Sequence, residues 1–375
     1  MKKIYMFVNV DWFFLSHRLP IAKAAQKNNV NMTVFADFTK IHETNLNDGY
    51  NLHRSPIRRT SKSVWHVIVE FLKAYQIIKK DKPNLIHAVT IKPILILGLV
   101  ARLTSTPYLG AISGLGPAFK TDGLYEKLRL IIILQILKLI FGNKDARMIC
   151  QSKNDRDVLI NFGITTLENI SLVPGSGVDL NVYKPIKKKA NSEKYVLMSS
   201  RILSDKGVEE YCFAAQIVRK KMGSKIKFKL SGPIDTHSPK FISNTALQKL
   251  TLNCGVEYLG NRSDMPKLLA SSYIFVLPSY YAEGIPKVLL EASASGVPVI
   301  TTDHPGCRDA VIDGETGILV ATRDFEALAA AIIELLQNRS RANRMGEKGR
   351  ALAENYYKDS IVVERHYSIY RQLCR

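Results

Sequence analysis

Both halves of the chain alternate short apolar runs with segments of helical periodicity. In the first half the runs Ile4 to Val10 and Met32 to Ala36 enclose Leu19 to Lys27, whose apolar residues recur on one helical face. Apolar runs of about four to eight residues predict buried strands. Strands separated by helices pair in parallel, because the crossover helix returns the chain to the same end of the sheet. The sequence therefore predicts an α/β fold built from doubly wound sheets.

The second half repeats this alternation after a break. Pro174 to Asp179 and the lysine-rich stretch Tyr183 to Asn191 interrupt the pattern and mark a boundary. Beyond it, the predicted strands are Tyr195 to Ser199, Lys225 to Leu230, Val256 to Leu259, Tyr273 to Leu277, Val297 to Thr301 and Gly317 to Val320. We expect two Rossmann-like domains, residues 1–177 and 178–356. A helix over about 357–375 is free to pack back on the first domain.

Composition limits the partners and the compartment. Lys and Arg number 53 against 33 Asp and Glu, a net charge of +20 that predicts an anionic partner: nucleic acid, an anionic membrane surface or a phosphorylated substrate. Five cysteines without a C-x-x-C pair favour free thiols in a reducing cytosol. The first apolar run ends at Asn9 and Asp11, which predicts a core strand rather than a secretion signal.

A predicted strand, a glycine-containing loop and a helix follow one another between Tyr273 and Pro298. Pro278 blocks the strand from continuing, and Pro286 suits a helix start because its missing N–H would be unpaired there anyway. Gly296 ends the helix after about three turns. Unpaired backbone amides and the positive end of the helix dipole both favour an anion, so this helix start is a predicted phosphate site.

Two carboxylates flank the predicted anion site. Glu283 precedes the helix and Glu291 lies inside it, roughly 12 Å further on if all eight intervening steps were helical. This spacing suits a sugar, a diphosphate and a ribose in a row. Alternatively, Glu291 pairs with Lys287 one turn earlier and Glu283 is a solvated loop acid. The helix is otherwise apolar or small, which predicts burial, and a buried carboxylate needs a specific partner.

The segment E-G-I-P-K-V-L-L-E-A, from Glu283 to Ala292, resembles the E-x7-E motif of retaining GT-B glycosyltransferases of glycosyltransferase family 4. The hinge-like P-G-S-G-V-D ending at Asp179 and the loop Arg201 to Gly207 are similar to the same family. The resemblance implies a GT-B fold, in which two Rossmann-like domains face each other across a cleft. It also implies that the second domain binds a nucleotide-sugar donor and the first binds the acceptor.

The resemblance further implies roles for individual residues. The donor diphosphate would be held by two loops, through Arg201, Lys206, Gly284, Ile285 and Pro286. Glu283 would bind hydroxyls of the transferred sugar as a catalytic residue, and Glu291 would bind the ribose. Because cations and a helix start already oppose the diphosphate, no metal ion and no cofactor are expected. Asp155-Arg156-Asp157 formally spells D-x-D, but acids in the first turn of a helix are explained by the helix dipole.

Two histidines of the first domain are further catalytic candidates. His17 lies in the loop Asp11 to His17 that follows the first strand, where ligands of doubly wound sheets bind. His87 lies at the end of the predicted strand Leu85 to Ala88, above the cleft that the resemblance implies. A satisfied core histidine is the alternative for His87.

A cationic loop and an apolar helix in the first domain suggest a membrane surface. The loop carries four cations of interest: Arg54, Arg58, Arg59 and Lys62. Such a run is a solvated surface or a contact for anionic headgroups, each cation contributing about 1 kcal/mol. Leu124 to Phe141 is apolar almost all round but shorter than the ~20 residues of a membrane span, so it is a core helix or an interfacial helix.

The stretches F-F-L-S-H-R-L-P and H-A-V-T-I-K-P are similar to the branch of the family that adds a sugar, often an N-acetylhexosamine, to polyprenyl-diphosphate-linked saccharides in bacterial surface polysaccharide assembly. We therefore expect transfer from a UDP-sugar by a peripheral protein at the inner face of the cytoplasmic membrane. A soluble acceptor, or a nucleotide-sugar epimerase on the same fold, is the enzymatic alternative. A basic nucleic-acid-binding protein is the other class, although the cations are scattered and no RNA- or DNA-binding motif is present.

Overall fold

The computed structural model describes residues 1–38, 49–58, 63–119, 121, 123–187, 193–236 and 238–374. The chain divides into two compact units. Unit 1 comprises Met1–Ser176 together with Asp359–Arg375, and unit 2 comprises Gly177–Lys358. The division between Ser176 and Gly177 lies in the hinge-like segment of the sequence, and the C-terminal helix belongs to unit 1.

The sheet of unit 1 has seven strands, all paired in parallel, in the order β3-β2-β1-β4-β5-β6-β7. The strands are β1 (Lys2–Val10), β2 (Val30–Asp37), β3 (Tyr50–Arg54), β4 (Leu85–Val89), β5 (Tyr108–Ile112), β6 (Ala146–Cys150) and β7 (Ile170–Leu172). Every residue of β4 and β5 is buried, as expected for central strands covered by helices on both faces. The strand order is that of a doubly wound fold, with its switch point between β1 and β4.

The helices of unit 1 are α1 (Asp11–His17), α2 (Leu19–Lys23), α3 (Val64–Asp81), α4 (Ile91–Leu103), α5 (Leu124–Phe141), α6 (Lys153–Asn161) and the C-terminal helix Asp359–Leu373. They differ from the predicted elements in three places. The segment Asp11–His17 was predicted as a loop, and Ile91–Leu103 was not predicted. The predicted helix Leu19 to Lys27 is helical only to Lys23; the 3-10 helix Gln26–Asn28 follows, and Asn29, left-handed with φ 55°, then turns the chain into β2.

Unit 2 repeats the architecture with six strands in the order β10-β9-β8-β11-β12-β13, again all parallel. The strands are β8 (Tyr195–Ser199), β9 (Lys227–Ser231), β10 (Val256–Tyr258), β11 (Ile274–Leu277), β12 (Val299–Thr302) and β13 (Gly317–Val320). The helices are α7 (Val208–Met222), α8 (Asn244–Cys254), α9 (Met265–Ser271), α10 (Lys287–Ala294), α11 (Phe325–Gln337) and α12 (Arg339–Leu352). The strand order reverses between β8 and β11, which makes that edge the ligand crevice of the unit.

Each unit has its own apolar core, and none of the described helices is long and apolar enough to cross a membrane. The C-terminal helix covers one face of the sheet in unit 1. There the Tyr367 hydroxyl donates a hydrogen bond of 2.9 Å to the Ile21 carbonyl, and Tyr370 is buried against the sheet. The end of the chain thus completes the core of the unit in which the chain begins.

The structure places His87 in this core rather than at an open strand end. His87 lies inside β4, opposite Met6 of β1 and Leu109 of β5, and is fully buried. Its Nδ1 shares a hydrogen bond of 2.7 Å with the Tyr370 hydroxyl, and its ring lies 5.7 Å from that of His366. The prediction of a catalytic His87 is therefore corrected: its strand is longer than predicted, and the histidine is a packed core residue.

Burial fixes the charge state of this histidine pair. Burial, together with the charge of Arg18, lowers the pKa of His366 to about 3. Burial also lowers the pKa of His87, and the neighbouring His366 and Arg18 lower it further. Both rings are therefore neutral in the folded unit at neutral pH. In the unfolded chain they titrate near the ordinary value of about 6.5, so acid favours unfolding through them.

We predict that the His366→Asn variant loses less stability than the wild type as the pH falls from about 6.5 towards 3. Over this window the unfolded wild-type chain binds a proton at His366 that the folded protein does not, so its stability falls with pH, whereas Asn has no such linkage. Denaturant unfolding at several pH values measures the slope. His53→Asn, at an exposed histidine, is the matched control. Parallel curves for His366→Asn and the wild type would refute this assignment.

Candidate active site

Two loops meet at the switch point of unit 2, because β8 and β11 are adjacent parallel strands whose carboxyl ends share one edge. The loop after β8 contains Asp205, whose carbonyl accepts a 3.0 Å hydrogen bond from the backbone N–H of Tyr280, in the loop after β11. The Ser279 hydroxyl donates to the same carbonyl at 3.4 Å. The two segments that the sequence predicted to bind the donor are thus in direct contact.

Glycine permits this close approach at two positions. Gly207 has φ +78°, and a Cβ there would lie 2.2 Å from the carbonyl oxygen of Pro278. Gly306, in the loop after β12, has φ +87°, and a Cβ there would lie 2.4 Å from the carbonyl oxygen of Gly284. Both are left-handed conformations that L side chains rarely adopt. The backbone of the loop after β11 is therefore held on two sides by neighbouring loops that need glycine.

Three of the predicted site residues gather around the ring of Tyr281. The Lys206 ammonium forms an ion pair with the Glu283 carboxylate and lies 4.7 Å from the centroid of the ring. The Arg201 guanidinium carbon lies 5.5 Å from the same centroid, within the range of cation–π attraction. The side chain of Lys206 is only 7% exposed. Arg201, Lys206 and Glu283 thus form one partly desolvated cluster.

A second carboxylate orients Arg201. Its Nη1 donates a hydrogen bond of 2.8 Å to Asp235, which follows β9. Burial by itself lowers the pKa of Arg201, but hydrogen bonds to Asp235 and Tyr281 outweigh burial and raise the pKa above its usual value. Arg201 therefore stays a cation in the crevice. Sequence reasoning missed Asp235 and Tyr281 as partners of Arg201.

Glu291 lies on α10 and follows Glu283 of this cluster in the sequence. Pro286 is the N-cap residue and makes no side-chain capping hydrogen bond, and the helix spans eight residues rather than the predicted three turns. Glu283 lies before the helix in a loop, so the spacing calculated for a continuous helix does not apply. The Lys287 ammonium lies 3.9 Å from the Glu291 carboxylate, so the pairing held open as an alternative is present.

The environment of Glu291 also includes an aromatic hydroxyl. Burial raises the pKa of the Glu291 carboxyl, while Lys287 and a hydrogen bond from Tyr183 act against this rise. Tyr183 lies in the segment that enters unit 2. Gly284, Ile285 and Pro286 are all buried between the Glu283 cluster and the start of α10. Glu283 to Glu291 is thus one stretch of chain that runs from the Tyr281 cluster into α10.

In unit 1, His17 is the last residue of α1 and half-buried. Its ring stacks on Phe13, with 4.3 Å between ring centroids, and its Nδ1 lies 2.6 Å from the Ser16 hydroxyl. The next residue, Arg18, is buried and donates a hydrogen bond of 3.2 Å to the Ser113 hydroxyl beyond β5. His17 thus lies at the carboxyl edge of the sheet, and its catalytic role stays a prediction.

Thr90 is a candidate that sequence reasoning missed. It follows β4 directly, at the switch point of unit 1, and has φ +73°, which is rare for a β-branched residue. Such strain concentrates at functional sites. The sequence carries no signal of this conformation, but the position of Thr90 after a central strand would have justified including it.

Two other segments carry residues that the sequence singled out. Arg54 ends β3 and is exposed, and the backbone N–H of Arg58 donates a hydrogen bond of 3.0 Å to Glu70. Arg59 and Lys62 lie outside the described residues. In the D-x-D sequence, the backbone N–H of Asp155 donates to the capping Ser152 hydroxyl at 3.0 Å. Within the described ranges, no group of three or more His, Cys, Asp or Glu side chains is placed to hold a metal ion.

Comparison with known proteins agrees with this architecture. A family model described as glycosyl transferases group 1 matches residues 181–352, and a glycosyl transferase 4-like model matches residues 3–152. Two parallel-sheet α/β units with these matches define a glycosyltransferase of the GT-B fold. The chain belongs to the glycosyltransferases that combine a 4-like first domain with a group 1 second domain.

Two curated relatives and one solved structure illustrate the likeness. The chain is 27% identical to N,N'-diacetylbacillosaminyl-diphospho-undecaprenol alpha-1,3-N-acetylgalactosaminyltransferase of Campylobacter jejuni, over 96% of this chain and 98% of that protein. It is 24% identical to UDP-Gal:alpha-D-GlcNAc-diphosphoundecaprenol alpha-1,3-galactosyltransferase of Escherichia coli, over 72% of this chain and 70% of that one. Sucrose-phosphate synthase from Thermosynechococcus elongatus shares the fold, with a TM-score of 0.83 and 21% identity over 100% of this chain and 99% of that one.

We predict that Gly306→Ala lowers the rate of sugar transfer by about tenfold or more, because displacing a catalytic loop by about 1 Å is enough for such losses. Gly314→Ala is the matched control, since Gly314 also has a positive φ, of +72°, but a Cβ there meets no atom within 4 Å. Both variants pay the cost of left-handed Ala, roughly 1–2 kcal/mol. If Gly306→Ala and Gly314→Ala lost activity equally at equal thermal stability, the close approach to Gly284 would not be the cause of the loss.

Proposed function

We propose that this glycosyltransferase moves an N-acetylhexosamine or hexose, with retention of anomeric configuration, from a UDP-sugar to a polyprenyl-diphosphate-linked saccharide in surface polysaccharide or glycan assembly. The observation that carries the proposal is the cluster of Arg201, Lys206 and Glu283 around Tyr281 at the switch point of unit 2. The two relatives whose names specify diphospho-undecaprenol acceptors support the acceptor class.

Unit 2 contains the charges that a departing nucleoside diphosphate needs. As the bond between the sugar and the diphosphate breaks, negative charge grows on the leaving phosphate. Arg201 and Lys206 are cations held in place before the reaction by Asp235 and Glu283, so they stabilise that charge with little reorganisation. An incoming diphosphate accepts hydrogen bonds from those N–H groups of Arg201 and Lys206 that do not contact Asp235 or Glu283. We therefore assign Arg201 and Lys206 to the diphosphate.

The carboxylates then bind the two ends of the donor. Glu283, next to Lys206, accepts hydrogen bonds from hydroxyls of the transferred sugar. Glu291 accepts hydrogen bonds from the ribose, in the place that Lys287 and Tyr183 hold in the structure. The buried backbone at Gly284, Ile285 and Pro286 lies between them and meets the diphosphate at the start of α10. The donor thus lies along one stretch of chain from Glu283 to Glu291.

The family likeness implies retention, and the charge arrangement supports independence from metal ions. Two side-chain cations and a helix start supply the countercharge that a divalent ion supplies in other transferases. In the D-x-D sequence, the Ser152 hydroxyl caps α6 by accepting from the backbone N–H of Asp155, and the Asp157 carboxylate pairs with Arg156 at 2.8 Å. We therefore assign no metal to the reaction, and His17 of unit 1 stays a catalytic candidate on the acceptor side.

The acceptor, being lipid-linked, brings the protein to the inner face of the cytoplasmic membrane as a peripheral protein. Arg54 and Arg58 of unit 1 are exposed, and with Arg59 and Lys62 they form a cationic segment next to α3. Cations near an anionic bilayer give a salt-sensitive attraction, and exposed apolar side chains add a salt-resistant part. The net charge of +20 is thus assigned to membrane and phosphorylated substrates, not to nucleic acid.

The experiment that tests the function is a donor screen with a polyprenyl-diphosphate-linked saccharide as acceptor, scored by nucleotide release and by the anomeric configuration of the product. We predict turnover with a UDP-sugar, an unchanged rate in EDTA, and an α-linked product from an α-linked donor. We also predict that UDP-sugars stabilise the protein against thermal unfolding and that oligonucleotides do not, since stabilisation follows occupancy of the binding site. Loss of turnover in EDTA that Mn²⁺ or Mg²⁺ restores would overturn the assignment without metal.

We predict that neutralising Arg54, Arg58, Arg59 and Lys62 to Gln moves the protein from anionic vesicles into the supernatant at low salt. Four cations at about 1 kcal/mol each account for a large loss of partitioning. Donor binding by unit 2 stays unchanged. The matched control neutralises four exposed cations of unit 2: Lys220, Lys221, Lys225 and Lys227. Wild-type protein that binds neutral and anionic vesicles equally would disprove the role of this segment.

A further inference from the structure

Unit 1 contains an apolar groove of about 640 Å³, a size within the roughly 300–1,000 Å³ of small-molecule sites. Three helices supply its walls, through Ile68 and Phe71 of α3, Leu95 and Leu99 of α4, and Ile133 and Ile136 of α5. Leu95 and Leu99 are one helical turn apart, so both side chains project from the same face of α4. All of the residues that line the groove belong to unit 1.

The groove continues into exposed apolar faces on two of its helices. On α3 the exposed side chains include Trp65 and Leu72, and on α5 they include Leu128, Ile131 and Ile132, each at least half exposed. A contiguous apolar surface of this kind on a soluble domain marks an interaction site. Because this apolar surface is unfavourable in water, the groove favours an apolar ligand.

Cations stand at one end of the groove. Lys92 of α4 lines it, and its ammonium donates a hydrogen bond of 2.7 Å to the carbonyl of Arg58 while lying 2.9 Å from the Glu70 carboxylate. Arg129 of α5 lines the groove as well. The backbone of Arg58 thus contacts Lys92, which lines the groove, and Glu70 of α3, so Arg58 lies next to the apolar groove.

We propose that this groove binds the phosphate-proximal isoprene units of the polyprenyl chain of the acceptor, with the diphosphate at the end marked by Arg58, Lys92 and Arg129. The proposal rests on the proposed function and names the part of the acceptor that unit 1 recognises. A few isoprene units in the groove remove many CH₂ groups from water, which adds to the binding of the headgroup.

The shape and charge of the groove favour this occupant over others. A single chain that ends in a diphosphate matches one channel with cations at one end, whereas a bilayer phospholipid carries two chains. A partner helix or a second copy of the chain would have to cover the exposed faces of both α3 and α5, which also carry Lys73, Lys127 and Lys138. The exposed faces fit the bilayer interface, and the groove between them fits one chain drawn from it.

The test measures binding of farnesyl diphosphate, a fifteen-carbon isoprenoid probe, to the full chain by calorimetry below its micellar concentration. We expect wild-type protein to bind it at least about tenfold more tightly than inorganic diphosphate, as buried methylenes require. Leu95→Trp and Leu99→Trp fill the groove and abolish this preference. Leu139→Trp is the matched control, because Leu139 is an exposed apolar residue of α5 that does not line the groove.

Thermal unfolding of the full chain serves as the check on folding, and all three variants should keep the wild-type transition of unit 1. The proposal is overturned if the groove-filled variants bind farnesyl diphosphate like the wild type. It is also overturned if they lose binding to phosphatidylglycerol vesicles that contain no prenyl lipid, which would assign the groove to bilayer lipids. Sedimentation showing a wild-type dimer that the same variants dissociate would assign it to a second copy.

Transfer assays separate this proposal from the proposed function. Equal KM values for saccharide diphosphates carrying a polyprenyl chain or a methyl group would remove the groove from acceptor recognition and leave the transferase assignment intact. Absence of transfer to any lipid-linked saccharide, with farnesyl diphosphate still bound at Leu95 and Leu99, would instead refute the acceptor class and leave a prenyl site. The proposal predicts a lower KM for the polyprenyl acceptor, which Leu95→Trp raises.

Discussion

The ion pair between Lys206 and Glu283 is the contact on which the organisation of unit 2 depends. It joins the loop after β8 to the loop after β11, and it forms because those strands are neighbours at the switch point although their loops are far apart in sequence. Backbone contacts hold the same two loops together, through Asp205 and Tyr280, and only a glycine at position 207 lets them approach so closely. A buried cation with a carboxylate partner and an aromatic face is costly to build, and it gives a charged site that is organised before substrate arrives.

Unit 1 uses the same strand order for a different kind of surface. Its core holds a neutral pair of histidines, one on β4 and one on the C-terminal helix, and its edge carries Thr90 in a strained conformation and Arg18 bound to Ser113. Its outer helices expose apolar side chains and cations together. Repetition of one fold within the chain therefore does not repeat one chemistry: the crevice of unit 2 is polar and charged, whereas unit 1 combines a polar sheet edge with an apolar flank.

Sequence reasoning succeeded where local pattern decides the structure. The helix Leu124–Phe141 was predicted from its apolar sequence, and the structure brings Arg201, Lys206 and Glu283, which the sequence placed on two loops, into one cluster. It failed where a contact distant in sequence decides. Asp235 and Tyr281 meet Arg201 only once the sheet has formed, and His87 is buried by Tyr370, which lies 283 residues away. Helix α4 was missed because Pro93 argues against a helix unless it lies in the first turn, which is where the structure places it.

The central claim is that the cluster around Tyr281 binds the donor diphosphate while Glu291 binds the nucleoside. Calorimetric titration with UDP and with UMP tests it most directly, because both ligands contain uridine, with its ribose, and they differ by one phosphate. The account predicts that wild-type protein prefers UDP by about tenfold or more, as expected of charge-assisted contacts. Lys206→Met should remove that preference, whereas Glu291→Ala should weaken both ligands by the same factor. A folded Lys206→Met variant that keeps the full preference of the wild type for UDP would contradict the account.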